Sequence, residues 1–366
     1  MYNKPTIYLD YNATAPLRPE IFQAMQDVMG EALNPSSVHS SGRKARKLVE
    51  DARQKILRRV NGESLIFCGS GTEANNLAVI QMPNVRSQMS EIAISSIEHD
   101  SVFKSAQTPK FVRVDKNGVI DLNHLEEILT SGICHLVSIM LANNETGVIQ
   151  PIQQAAEIAH KHGALLHTDA VQAFGKIDID FKNLGVDMMT ISSHKIGGPI
   201  GTAALIHKSS LEIKPIMFGG GQEKNKRPGT ENVPAIIGFG EVAKNVSRET
   251  FKLRDYLENK IRSIAPDAII YGEAAERLPN TTCIAMPDIE AATQLIHFDT
   301  NGICVSSGSA CSSGKVEVSR VLKAMNVPLA KNALRISTGW ATTQEDIDLF
   351  IKHWRELYLR SKNAAA

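Results

Sequence analysis

Short apolar runs alternate with helical stripes through the middle of the chain, and a polar cluster follows most of the runs. Between about residues 64 and 207, apolar segments such as SLIFC, EIAIS and ALLH lead through polar loops into segments with the 3.6-residue periodicity of amphipathic helices. This alternation predicts an α/β fold with a mostly parallel sheet covered by helices. No exact sequence repeat is visible, which argues against a solenoid.

The pattern changes on both sides of this region. The start, TIYLDYNATAP, gives a short apolar strand and a polar turn closed by Pro16, which is typical of an edge strand. Towards the other end, a long helical pattern from Pro234 to about Ile264 precedes short strands mixed with amphipathic helices, which indicates an α+β domain. We therefore predict a large domain at 16–250 and a small C-terminal domain at 251–366, with an N-terminal segment at 1–15 that packs with the small domain.

Two strand-like segments end in side chains that can carry chemistry. ALLHTD ends in Asp169 and DMMTISSHK ends in Lys195, which would place both side chains at the edge of the sheet where open α/β folds bind ligands. An Asp that faces a pyridinium nitrogen and a Lys that forms a Schiff base are the parts of a pyridoxal phosphate (PLP) site. Asp and Lys are common residues, so this spacing alone is weak support.

A glycine-rich turn supplies a candidate phosphate site. Gly69, Ser70, Gly71 and Thr72 connect an apolar strand to a helix predicted to begin near Glu73, and a helix N-terminus attracts anions. The turn matches neither the G-x-G-x-x-G pattern nor a Walker P-loop. A plain capped turn between strand and helix is an equal alternative.

Polar residues elsewhere in the chain allow a structural or a functional interpretation. His99 follows the strand EIAIS, and a lone histidine is more often a satisfied surface or core residue than a catalytic group. The turn at 34–37 and the loop at 216–235 suit anion recognition, but both also read as solvated turns. Arg335 lies in an otherwise apolar strand, and a buried Arg usually has an anionic partner.

The composition narrows the possible functions. Of 366 residues, 43% are apolar and 22% are charged, which is ordinary for a globular protein. The formal charge of 40 − 39 = +1 gives no global field that would attract nucleic acid or a membrane surface. The sequence shows neither a signal peptide nor an apolar run of transmembrane length, so we expect a soluble, cytoplasmic protein.

The five cysteines predict neither a disulfide framework nor a metal site. Their number is odd, and they form no C-x-x-C pair and no cluster with zinc spacing. Most should be small buried apolar residues. Cys311 is the exception, because its surroundings, SSGSACSSGK, contain no bulky side chain that could bury the thiol.

Taken together, the motifs of the chain resemble those of the cysteine desulfurases of the NifS/IscS type. These enzymes are class V aminotransferases with PLP fold type I, which has a large sheet domain and a smaller α+β domain. The matching stretches, spread over almost the whole length, are YLDYNATAP, NPSSVHSSG, SGTEANNLA, EHDSV, ANNETGVIQPI, HTDAVQAFGK, SSHKIGGPIG, GGGQEKNKRPGTEN, LPNTT, SSGSACSSG and LRIS.

The resemblance implies a role for each candidate residue. Lys195 would hold PLP and move protons at the substrate Cα, Asp169 would pair with the pyridine nitrogen, and His99 would stack on the ring. Other cofactor contacts would be Gly71, Thr72, Ser192 and His194 around the phosphate, Thr230 across a homodimer interface, and Asn144 and Gln172 near the phenolic oxygen. The substrate carboxylate would be held by Asn34 and Arg335.

The resemblance also gives Cys311 a function. In this family a loop cysteine attacks the sulfur of the substrate L-cysteine, which releases L-alanine and leaves a persulfide on the enzyme. The attacking form is the thiolate. An acceptor protein, in iron–sulfur cluster assembly or another thiolation pathway, would then receive the sulfur. The residues Val316, Glu317 and Val318, where Leu-Glu-Pro is frequent, and Trp340 put the identity of the acceptor in doubt.

Two alternatives stay open at this point. One is another class V PLP enzyme, either a selenocysteine lyase or an aminotransferase for small amino acids, and Cys311 argues against the aminotransferase. The other is a scaffold or regulatory paralogue without activity. The presence of Lys195, Asp169, His99 and Cys311 together argues against the scaffold, which would need none of them.

Overall fold

The largest sheet of the protein has seven strands. The computed structural model describes residues 6–80, 91–132, 134–244, 252–307 and 318–365. In chain order the strands are β1 (Ile7–Tyr8), β2 (Ser64–Cys68), β3 (Glu91–Ser95), β4 (Lys110–Val112), β5 (Cys134–Ser138), β6 (Leu165–Asp169), β7 (Met188–Ser192), β8 (Ala203–His207), β9 (Ile269–Ile270), β10 (Thr281–Ala285), β11 (Ile303–Cys304) and β12 (Ala333–Ser337).

Thirteen α-helices lie in the described ranges. They are α1 (Pro19–Met29), α2 (Ser40–Val60), α3 (Gly71–Val79), α4 (Asp100–Phe103), α5 (Leu122–Ser131), α6 (Ile152–Lys161), α7 (Phe181–Leu184), α8 (Gln222–Asn225), α9 (Val233–Lys244), α10 (Lys252–Ile264), α11 (Ala291–Thr300), α12 (Arg320–Ala324) and α13 (Gln344–Ala365). None of them is long and apolar enough to cross a membrane.

The large sheet has the strand order β2-β8-β7-β6-β5-β3-β4, and its pairs from β7 to β4 are all parallel. The predicted mostly parallel sheet is therefore confirmed. Strand β8 runs antiparallel to both β2 and β7. It follows β7 after only ten residues, at 193–202, too few for the helical crossover that a parallel connection needs.

Helices cover both faces of this sheet and bury apolar side chains against it. Helix α2 buries Ala45, Val49, Ala52 and Ile56 and exposes most of its charged residues, while Arg53 pairs with the buried carboxylate of Glu223. It packs closely on α9, since a Cβ at Gly240 would lie 2.7 Å from the Cα of Ala52. A side chain other than glycine there would push the two helices apart.

A second, antiparallel sheet with the order β12-β10-β9 lies in the C-terminal part of the chain. Its core contains Phe298, Phe350 and Trp354. The N-terminal strand β1 pairs in parallel with β11, and Leu9 enters the same core. The predicted mixture of strands and helices is present here, while the domain boundaries proposed from the sequence stay predictions.

Candidate active site

A cavity of about 250 Å³ opens at the edge of the large sheet where the parallel strands end. Asp169 is the last residue of β6 and Ser192 the last of β7, so the sheet itself brings their side chains together. Nine residues predicted from the sequence line this cavity, namely Gly71, Thr72, His99, Asn144, Asp169, Gln172, Ser192, His194 and Lys195.

The amine of Lys195 is held at the cavity wall by the N-terminal segment. Its Nζ donates to the main-chain carbonyl oxygens of Asn12 and Ala13, each at 2.7 Å. Burial lowers the pKa of Lys195 to about 8, and the guanidinium of Arg335 contributes to this shift. An amine with such a pKa is far more available as a nucleophile or base than an ordinary lysine.

The carboxylate of Asp169 is fixed by two hydrogen bonds. Its Oδ1 accepts the backbone N–H of Val171 at 2.9 Å, and its Oδ2 accepts from Nδ2 of Asn75 at 2.7 Å. The same Asn75 amide donates to Oγ of Ser101 at 2.8 Å, on the turn that carries His99. Both carboxylate oxygens are therefore oriented before any ligand arrives.

His99 is the N-cap of α4 and also part of the cavity wall. Its Nδ1 accepts the backbone N–H of Ser101 at 3.1 Å and lies 2.8 Å from Oγ of Ser101. Because Nδ1 accepts, the proton of the neutral imidazole is assigned to Nε2. His99 can therefore cap the helix through Nδ1 and still present its ring to the cavity.

The N-terminus of α3 forms a cradle suited to an anion. The side chain of Ser70 caps the helix by accepting the N–H of Glu73 at 3.1 Å. Gly71 and Thr72 open the helix and line the cavity, where the first N–H groups have no partner within the helix. In the same cavity, burial lowers the pKa of His194 to about 4, so its ring is neutral near pH 7.

Arg335 lies behind the cavity wall and is almost fully buried, with 5% of its surface exposed. Its Nη2 pairs with Oδ1 of Asp10 at 2.6 Å, and its Nη1 donates to the main-chain oxygen of Asn144 at 3.1 Å. The expected anionic partner is thus present within the chain. Among the described residues its buried Nε has no partner, so one donor of the guanidinium is unused.

Two other predicted residues, Asn34 and Thr230, do not line the cavity, and a third is not described by the structure. Asn34 is exposed, and its Oδ1 accepts the N–H of Ser36 at 3.0 Å in a local turn. Thr230 is exposed on a loop elsewhere on the surface. Cys311 lies outside the described residues. The roles implied for these three stay predictions.

Sequence reasoning missed a buried polar network beneath the cavity. The main-chain oxygen of Asn12 accepts from Lys195 and, at 2.9 Å, from Nε2 of Gln172. The Nζ of Lys176 donates to Oδ1 of Asn12 at 2.7 Å and to Oε1 of Gln172 at 2.8 Å. Asn12 and Lys176 lie inside the motifs YLDYNATAP and HTDAVQAFGK. The pattern of apolar residues does not show that a single amide or amine between them is buried.

A buried carboxyl group next to His99 predicts a pH-dependent stability. Oε1 of Glu98 accepts from Ser95 and from the backbone of Met140, while Oε2 is buried and unpartnered among the described residues. Burial raises the pKa of Glu98 to about 8, and the charge of Asp169 adds to the effect. The folded protein therefore keeps a proton that the unfolded chain loses near pH 4.5.

Stability should consequently fall as the pH rises from about 4.5 to about 8, by as much as about 5 kcal/mol. Glu98→Gln imitates the protonated acid and should remove this slope, which thermal unfolding at pH 5 and pH 9 would measure. The exposed Glu157→Gln serves as the control. An equal pH dependence in wild type and Glu98→Gln would contradict this assignment.

Comparison with known proteins identifies the family. The model of the family named aminotransferase class-V matches residues 7–350. A cysteine desulfurase IscS of Dictyoglomus turgidum is 40% identical over 366 positions, which cover 94% of this chain and 92% of that relative.

Two solved structures agree with this result. The X-ray structure of a NifS-like protein from Rickettsia africae has a TM-score of 0.89 and 41% identity, covering 97% of this chain and 99% of that one. A structure of SspA in complex with cysteine has a TM-score of 0.81 and 28% identity, covering 90% of this chain and 98% of that one. The chain therefore belongs to the class-V aminotransferases and, within them, to the cysteine desulfurases of the IscS/NifS type.

Proposed function

We propose that the protein converts L-cysteine into L-alanine with bound PLP and transfers the sulfur to Cys311. The observation that carries this proposal is the cavity itself, in which an amine with a lowered pKa, an oriented carboxylate and a helix N-terminus face one space. These are the three kinds of group that a pyridine ring with an aldehyde and a phosphate requires. The family membership supports the same reaction.

The residues present fit PLP by their chemistry. Asp169 would pair with the pyridine nitrogen, and the start of α3 would hold the phosphate together with Ser192 and His194. Asn144 and Gln172 would face the phenolic oxygen, and His99 the ring. When bound, PLP supplies an electron sink for the pair left at the substrate Cα after loss of its proton.

Two side chains can move protons in this cavity. Lys195, with its pKa of about 8, is suited to remove the proton from Cα and to return one. His99 is the second such side chain in the cavity wall. In its neutral ring Nε2 carries the proton, which it can donate. The carbonyl oxygens of Asn12 and Ala13 give the amine of Lys195 a fixed resting place between these steps.

Sulfur transfer would take place at Cys311. Its thiolate attacks Sγ of the substrate cysteine, the new S–S bond forms, and the electrons of the Cβ–S bond stay with the carbon fragment. A proton taken up by that fragment yields alanine, and a persulfide is left on the protein. Ser306 lies five residues before Cys311 and pairs with the backbone of Arg335. Five fully extended residues span at most about 18 Å, which limits the distance between Cys311 and Ser306.

Substrate recognition would depend on the guanidinium of Arg335. Its buried Nε is unused, and Arg binds carboxylates through paired hydrogen bonds. Arg335→Leu should raise the KM for L-cysteine by about one to two orders of magnitude, because a hydrogen-bonded charge pair is lost. Steady-state kinetics would measure this.

Asp10→Asn is the matched control for this variant, because it removes the internal carboxylate and leaves the guanidinium in place. We expect its KM to stay the same or fall. If Asp10→Asn and Arg335→Leu raised the KM equally, the ion pair would be structural and Arg335 would not bind substrate.

The same proposal includes partners. Thr230 lies on an exposed loop away from its own cavity, which supports a homodimer in which this loop completes the phosphate site of the second subunit. The sulfur on Cys311 would pass to an acceptor protein, as in iron–sulfur cluster assembly or another thiolation pathway. Analytical ultracentrifugation would test the first of these two statements.

The decisive experiment for the function is simple. The purified protein with PLP should be yellow and, with a dithiol present, should release alanine and sulfide from L-cysteine in equal amounts. A colourless protein that takes up no PLP would overturn the proposal. Selenide release from L-selenocysteine without any sulfide from L-cysteine would instead identify a selenocysteine lyase.

A further inference from the structure

Lys176 is a buried lysine whose partners are unusual. Only 8% of its surface is exposed, and no carboxylate forms an ion pair with it in the described part of the chain. Its Nζ instead donates to two amide oxygens, Oδ1 of Asn12 at 2.7 Å and Oε1 of Gln172 at 2.8 Å. Burial, the charge of Lys195 and the charge of Arg335 all lower the pKa of this amine. Two N–H groups suffice for the two contacts, so they persist whether or not the amine carries its third proton.

These contacts determine which way the Gln172 amide points. An amide has an accepting end and a donating end, and the accepting end faces the N–H groups of Lys176. The donating end then meets the main-chain oxygen of Asn12 at 2.9 Å. A flipped amide would set Oε1 of Gln172 against that oxygen, two acceptors with no proton between them. The orientation is therefore held from both ends.

The orientation has a consequence for the cavity, because Gln172 is part of its wall. The NH₂ group of Gln172 has two N–H bonds, and the contact with Asn12 uses one of them. The second is left for a group inside the cavity. We propose that Lys176 is a positioning residue, which makes Gln172 present a hydrogen-bond donor, and not an acceptor, to the ligand.

The proposal rests on the proposed function, since the acceptor that would meet this donor is the phenolic oxygen of PLP. That oxygen is anionic in many protonation states of the cofactor, and a charged acceptor strengthens the hydrogen bond. An amide oxygen at the same place would repel it. The lysine would thus favour PLP binding without contacting the cofactor, through the side chain of Gln172.

A double-mutant cycle tests this coupling in the full-length protein. Lys176→Met keeps most of the side-chain length and removes both donors, and Gln172→Ala removes the amide. We expect each single variant to weaken PLP binding by about tenfold and to shift the visible band of the bound cofactor in the same way. The double variant should be no weaker than Gln172→Ala, because Lys176 acts through Gln172.

The controls separate this outcome from a general loss of stability. Lys161→Met, at an exposed lysine that pairs with Glu126, should bind PLP as wild type does. Losses that multiply in the double variant, or a Lys176→Met protein with the wild-type band and affinity, would overturn the proposal. If Lys176→Met does not fold, Lys176→Arg keeps N–H donors and should retain the wild-type band, and a band like that of Gln172→Ala would contradict the proposal. A wild-type protein that binds no PLP would mean that the proposed function has failed.

Discussion

Lys195→Ala should yield a folded protein that has lost the visible band of bound PLP and no longer forms alanine from L-cysteine. The band depends on a primary amine at this position, and no other lysine lines the cavity in the described part of the chain. Alanine formation should fall by at least about 10³-fold, because the variant loses both the covalent tether and the group that moves the Cα proton. Absorbance after gel filtration and an alanine assay would measure both effects.

Lys195→Arg is the matched control, since it keeps a positive charge next to the carbonyl oxygens of Asn12 and Ala13 but has no primary amine. It should lose the band and the activity as completely as Lys195→Ala. Retention of the band in either variant would show that another lysine holds the cofactor, and the assignment of this cavity would then be wrong.

Cys311→Ser should keep the cofactor band that Lys195→Ala loses, but it should not transfer sulfur. The described residues proposed to hold PLP do not include Cys311, so we expect binding of PLP and of L-cysteine to match wild type. Sulfide release with a dithiol present should fall by at least about 10³-fold, because a hydroxyl cannot replace the thiolate as a nucleophile towards sulfur.

Cys304→Ser provides a matched control, because this cysteine is only partly buried and lies seven positions before Cys311. Its turnover should equal that of wild type. Normal sulfide release from Cys311→Ser would indicate a lyase that needs no enzyme thiol. Loss of activity in Cys304→Ser alone would show that Cys304, and not Cys311, accepts the sulfur.

The sequence predicts the parts of this site that follow from sheet geometry. Asp169 ends β6, and Lys195 follows β7 by three residues, and parallel neighbours place their carboxyl ends side by side. The sequence predicts the start of α3 near Glu73, and the helix begins at Gly71, within the accuracy with which helix ends can be read. The periodicity of apolar residues and the parallel direction of the strands thus predict where these residues lie.

Other features depend on contacts between distant segments. Asn12 and Asn75 read as ordinary residues of a turn and a helix, and only the fold brings Asn12 to Lys195 and Asn75 to Asp169. The direction of β8 depends on the length of the connection from β7, and the pattern of apolar residues does not predict the effect of that length. The long helical pattern after Pro234 continues in α9 and α10, on both sides of residues outside the described ranges.

The most direct test of the central claim is a single turnover without reductant. The PLP-loaded protein is mixed with one equivalent of L-cysteine, digested and analysed by mass spectrometry, while free alanine is measured in the same sample. We predict one alanine per active site and the added mass of one sulfur atom on the peptide that contains Cys311. Alanine without added sulfur on that peptide, or added sulfur on a different cysteine, would contradict the account.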